Sequence, residues 1–257
     1  MKRTIAIIAL VLSTAALHAE STKTVLIPAA GHLIGAAGLS FYSDIAIHNL
    51  RNTQQILRLT WLPQSGTGQE SSTKLVTIVA NGYLNSDDFA EEVMGRTGLG
   101  AIVVSPLLEN GQDDEHSNFT VASRIWSPTN HHGEVSQSFP PIRFGNIDSR
   151  HLALTGLRVD VQHRLNVGIV NLDKTGSHTF RVTIPGLPTQ VKEVTLDPYS
   201  TTQVTFSGVF APGNLRVDVE VLPSPGGGHL SLWTAYGSVV ENASGDSWSS
   251  IGVDIRE

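Results

Sequence analysis

The chain has no cysteine, which removes disulfides, thiolate zinc sites, thiol nucleophiles and an acceptor for lipid attachment in one step. Positive charge is also scarce, with 17 Lys and Arg against 23 Asp and Glu, so the basic surface that phosphate backbones require is missing and nucleic acid is not an expected partner. Aromatic residues make up only 6% of the chain, too few for the two aromatic girdles of a membrane barrel. Beyond the first residues no stretch approaches the ~20 consecutive apolar residues that a membrane-spanning helix needs.

The amino terminus is different. Met1-Lys2-Arg3 is basic, Ile5 to Leu12 is apolar, and Leu17-His18-Ala19 ends on the small residue that precedes signal cleavage. Residues 1–19 are therefore expected to be a secretory signal peptide, and the mature chain a periplasmic or extracellular protein. Loss of Lys2 and Arg3 leaves 15 basic against 23 acidic residues, a net charge of -8. An exported chain without disulfides must be held by core burial alone, which favours units of roughly 100 residues or more over miniature ones.

The chain then repeats itself. Ile45 to Thr53 reads I-A-I-H-N-L-R-N-T, and Val167 to Thr175 reads V-G-I-V-N-L-D-K-T, with Asn49, Leu50 and Thr53 in step with Asn171, Leu172 and Thr175. Arg58 to Trp61 answers Arg181 to Ile184, Val76-Thr77-Ile78 answers Val194-Thr195-Leu196, and Gly133-Glu134 answers Gly245-Asp246. Leu215, Val217, Val219 and Val221 alternate with Arg216, Asp218 and Glu220, and the same alternation runs through Leu57-Leu59-Trp61, Leu165-Val167-Ile169 and Phe180-Val182-Ile184. Clean alternation marks antiparallel sheets with one wet face. The expectation is an all-β chain of two tandem antiparallel β-sandwiches, immunoglobulin-like or jelly-roll-like, over residues 20–145 and 146–257. One short helix is expected in the first, capped by Ser86 and ended by Gly95, and Asp197 to Ser200 is expected to replace it in the second.

Motifs that carry chemistry are few. Ser71-Ser72-Thr73-Lys74 satisfies S-x-x-K and Lys174-Thr175-Gly176 satisfies K-T-G, the elements of serine acyl-enzymes. Here the serine enters an alternating strand instead of opening a helix, so neither motif is expected to be catalytic. His131-His132 would point to opposite faces of a strand, and Asp113-Asp114-Glu115-His116 lacks the alternation that wraps calcium, so it is expected to be a solvated loop. Gly95 to Gly100 follows a helix where a phosphate cradle would precede one, and Gly226-Gly227-Gly228 is expected at a hairpin tip. Asp44 and Arg124 are isolated charges beside apolar strand positions, and each is expected to sit in a structural salt bridge or on an exposed face. The short signal and the lack of cysteine suit a bacterial chain, so the sequons at Asn118 and Asn242 are expected to be bare. Of the four tryptophans, Trp61 falls on a core face, while Trp126 and Trp248 fall near strand ends and are the speculative ligand contacts. Sugar rings stack on such indoles.

Ile27 to His32, Tyr42 to Ile45, the Asn49-Leu50 strand end, and the closing Tyr236 to Asn242 with Gly245-Asp246 resemble uncharacterised exported bacterial proteins built from tandem immunoglobulin-like or related β-sandwich repeats. The resemblance implies a fold module with no attached catalytic, metal or cofactor residue. The functional expectation is a non-enzymatic exported binding or structural module whose partner is a protein or a glycan. The alternatives are a secreted hydrolase whose Ser, His and Asp meet only in three dimensions, a carbohydrate-binding protein using exposed tryptophan, and a small outer-membrane barrel.

Overall fold

The computed structural model describes residues 23–35, 38–129, 133–147, 150–208, 213–223 and 232–255. The expected signal peptide, His131-His132 and Gly226 to Gly228 lie outside the described residues. The described chain is all-β, with several antiparallel sheets. Its first half contains β1 (Val25–Ile34), β2 (Ser40–Asn49), β3 (Gln55–Pro63), β4 (Ser72–Ile78), β5 (Tyr83–Ser86), β6 (Gly98–Leu107), β7 (Phe119–Pro128), β8 (Glu134–Ser138) and β9 (Ile142–Arg143). Its second half contains β10 (His151–Leu157), β11 (His163–Asn171), β12 (His178–Thr183), β13 (Val191–Leu196), β14 (Ser200–Phe206), β15 (Leu215–Val221), β16 (Trp233–Glu241), β17 (Ser247–Ile251) and β18 (Val253–Asp254).

Strand pairing recurs between the halves. The order β4-β3-β6-β1, with β9 beside β1, returns as β13-β12-β15-β10-β18, and β2-β7-β8, with β5 beside β2, returns as β14-β11-β16-β17. A short pairing of Leu33 with Phe41 and Ile34 with Ser40 joins the first two arms into one nine-stranded sheet. The sheets are open, ending on edge strands such as β4 and β8, and do not close into a barrel. No helix among the described residues is long and apolar enough to cross a membrane.

Alternation explains which faces meet. In the first half Ile45, Ile47, Leu57, Leu59, Trp61, Ile102, Val104 and Phe119 turn inward into one buried cluster. In the second, Leu165, Val167, Ile169, Phe180, Val182, Val217, Val219 and Trp233 do the same. A third cluster lies between the halves, where Leu26, Leu62, Ala101 and Val103, on the opposite face of β1, β3 and β6, meet Val170 and Leu172. That contact buries β6 on both sides from Gly100 onward, so Ala101 to Val104 reads as a continuous apolar run although its partners are antiparallel. Phe139 packs edge-on against Tyr236 across the same seam, 5.3 Å between ring centroids, and Ser238 Oγ donates to Gln137 Oε1 at 2.7 Å. Gly168 admits the Tyr236 ring, since a Cβ there would stand 2.0 Å from it.

Three local expectations are corrected. The helix is one π-helical turn, Phe89–Val93, with Asp88 rather than Ser86 at its cap, because Ser86 ends β5 and its hydroxyl accepts from the Asp88 N–H at 3.0 Å. Asp197 to Tyr199 is not its replacement. That segment links β13 to β14 as residues 79–82 link β4 to β5, and Asn81 and Tyr199, with φ 53° and 52°, occupy the same left-handed position. Their N–H groups donate to Arg51 O at 2.9 Å and Asp173 O at 2.8 Å. Asp114, expected in a solvated loop, is 4% exposed and receives the Arg51 guanidinium at 2.7 Å. A buried carboxylate is tolerated there because a cation answers it.

Candidate functional site

On the solvent side of the β2-β7 pair, Tyr42 stands opposite Trp126 and Asp44 opposite Arg124. Side chains on one face of directly paired residues lie close enough to touch. The Tyr42 and Trp126 rings are 5.2 Å apart at 36°, and the His32 ring from β1 meets Tyr42 edge-on at 5.2 Å, so three rings form a row. Trp126 is half-buried, and its Nε1–H donates to Asp87 O at 2.8 Å, which fixes the indole in place. Beside it, Arg124 Nε donates to Asp44 Oδ2 at 2.7 Å, and Arg124 Nη1 also donates to Glu134 Oε1. Those two bonds hold the guanidinium pKa above its ordinary value. The two isolated charges of the sequence thus stand in one salt bridge with each other.

The His32 end of the row is acidic. Its Nδ1 lies 2.7 Å from Asp88 Oδ2 and 3.1 Å from Glu91 Oε2, both delivered by the single helical turn after β5. These three groups place one nitrogen and two oxygens within 4.8 Å of one another and are the described residues able to share a divalent cation. With the proton on Nδ1, the His32-Asp88 contact is a satisfied hydrogen bond, which a cation would have to displace. The arrangement orients His32 and puts negative charge next to an aromatic surface. Neither His32 nor the acidic pair was singled out from sequence, because His32 and Asp88 lie 56 residues apart and only folding brings them together.

The structure places the second speculative contact elsewhere. Trp248, on β17, is 38% exposed, donates Nε1–H to Gly156 O at 2.9 Å and meets the His163 ring at 5.9 Å. It covers the β10-β11 turn, in which Asp160 accepts from His163 Nδ1 at 2.8 Å and from the N–H groups of Gln162 and His163. The His163 and Arg158 side-chain bonds and the two backbone bonds outweigh burial and hold the Asp160 carboxyl well below the usual range. Trp126 and Trp248 thus belong to separate surroundings. His32, His163 and His178 each pair with a carboxylate, and among the described residues none of the three adds a serine hydroxyl to that pair.

The acyl-enzyme motifs are split by strand alternation. Lys74 turns away from the Ser71 side of β4 and donates Nζ–H to Val93 O at 2.7 Å. Ser71 and Lys174 do come to one cleft, with Arg58, Thr60, Thr73, Pro198 and Tyr199, where the two halves part.

No family model matches the chain, and no curated protein matches it. Comparison with solved structures brings up the 7S globulin of Momordica charantia, 10% identical, over 88% of this chain and 74% of that chain, at a TM-score of 0.16. At that score the likeness carries no weight for fold or function.

Proposed function

We propose that the chain is an exported, non-enzymatic binding module made of two tandem β-sandwich repeats, residues 20–145 and 146–257, and that the Trp126-Tyr42-His32 row takes a ring of a glycan. The recurrence of the pairing order supports the duplicated sandwich, as does the resemblance to exported repeat proteins. The observation that carries the ligand is the row itself, in which an indole fixed through its Nε1–H lies beside a tyrosine on a solvent face with carboxylates next to it. Aromatic faces take the apolar side of a sugar ring, and neighbouring carboxylates accept from its hydroxyls.

A glycan array followed by calorimetry on the mature chain tests this reading. Trp126→Ala is expected to weaken the glycan it finds by about tenfold or more, the equivalent of about 1.4 kcal/mol of aromatic contact. Trp248→Ala is expected to leave the affinity unchanged. A chain that binds no glycan, or whose binding ignores Trp126→Ala, contradicts the proposal.

A further inference from the structure

The seam between the halves is apolar at Leu62 and Val103 and then opens, where β3 and β4 continue outward as Arg58, Thr60 and Thr73 and face Lys174 and Tyr199 of the other half. The resulting cleft has a volume of about 400 Å³, within the ~300–1,000 Å³ of small-molecule sites. In a chain with more acidic than basic residues, its wall carries Arg58, Lys174, several hydroxyls and, among the described residues, no carboxylate. A contiguous compartment shares Ser71, Pro198 and Tyr199 and does carry Glu70 and Asp197, the latter tied down by Ser65 Oγ at 3.0 Å and Gly66 N–H at 3.2 Å.

The second half supplies an internal control for Arg58. At the same register position Arg181 stands between Glu193 and Glu220 and bonds to both, at 2.9 and 3.0 Å. Arg58 stands between Leu75 and Ser105, and its carboxylate neighbour among the described residues is Asp113, at 3.9 Å. The guanidinium that is neutralised in one half keeps most of its bonding capacity in the other, at the mouth of the cleft. Tyr199 is the second departure. At the left-handed position where the first half has Asn81, a residue suited to it, the second half places a tyrosine, whose ring lines the cleft with the Lys174 ammonium 5.5 Å from its centroid.

We infer that this cleft is a second ligand site, for a small hydroxylated carboxylate of the sugar-acid type. Arg58 and Lys174, one from each half, would clamp the carboxylate, with the Thr60, Ser71 and Thr73 hydroxyls and the Tyr199 ring meeting the rest. The site is independent of the Trp126 row, and either can fail without the other.

The test is calorimetry of the mature chain with sodium galacturonate, galactose and inorganic phosphate. Galacturonate is expected to bind at low ionic strength and to weaken as salt is added, with galactose at least tenfold weaker. Arg58→Gln and Lys174→Gln are each expected to cost about tenfold or more with an unchanged urea midpoint, and Arg181→Gln and Trp126→Ala to cost nothing. Absence of galacturonate binding overturns the inference, as does binding indifferent to Arg58→Gln and Lys174→Gln. Equal affinity for galactose or for phosphate contradicts the ligand class, and loss on Trp126→Ala would place the ligand on the aromatic row instead.

Discussion

Asn49 and Asn171 show how one side chain can close a turn. Both are fully buried at the ends of their strands. Asn49 Nδ2 donates to the carbonyls of Thr53, Ile78 and Val79, and its Oδ1 accepts from the Arg51 N–H and from Gln55. Asn171 Nδ2 donates to the carbonyls of Gly176 and Asp197, and its Oδ1 accepts from the Asp173 N–H. Removing such a group strands buried carbonyls, at about 1–3 kcal/mol for each group left unsatisfied. Asn49→Ala is expected to cost about 2–4 kcal/mol on that basis, and Asn171→Ala a similar or smaller amount, read as the shift in urea midpoint. Aspartate should not rescue either position, because an ionised carboxylate cannot donate. A change below about 0.5 kcal/mol would contradict the plug role. The matching asparagines were legible in the sequence. Their task was not, because the carbonyls Asn49 serves at Ile78 and Val79 lie 29 and 30 residues on.

The strands with one wet face, β15 and β12 above all, were legible from alternation alone. What could not be read was where alternation would stop. By register Val103 and Ala101 of β6 match Asp218 and Arg216 of β15, so the same outward positions are apolar where the other half covers them and charged where water does. Of the aromatic row, Trp126 could be marked by its place near a strand end, whereas Tyr42 and His32 joined it only through pairing. The β11-β12 turn carries a pH dependence. Burial would raise the Asp173 carboxyl, but hydrogen bonds from His178, from the Thr175 and Gly176 N–H groups and from the Thr175 hydroxyl outweigh it and lower the pKa from 3.8 to about 2. A carboxylate with a lowered folded-state pKa stabilises above its unfolded value and loses that contribution as protons bind to the fold. Stability is therefore expected to fall between about pH 4 and pH 2, and Asp173→Asn to flatten that part of the curve of urea midpoint against pH. Parallel curves for the two proteins would contradict this assignment.

At the scale of the molecule, the seam joins unlike faces. The β1-β3-β6 side of the first half meets the β11-β14-β16 side of the second, leaving the β2-β7 face and the β12-β15 face outward. Head-to-tail contacts of this kind can propagate between molecules unless the end faces are unsuited to it. Here they are charged, with Arg124 between Asp44 and Glu134 at one end and Arg181 between Glu193 and Glu220 at the other. This stacking underlies both the exposure of the aromatic row and the existence of the anion cleft. The absence of cysteine allows it to be tested without background. Gln64 and Thr201 form a parallel bridge across the seam, and bridged backbones lie about 5 Å apart, inside the ~4.4–6.8 Å span of a disulfide. The most direct measurement is oxidation of the Gln64→Cys/Thr201→Cys variant under native conditions, followed by mass analysis of the linked peptides. Stacked halves predict near-complete cross-linking of residues 64 and 201. Two thiols that stay free in the folded protein would contradict the account.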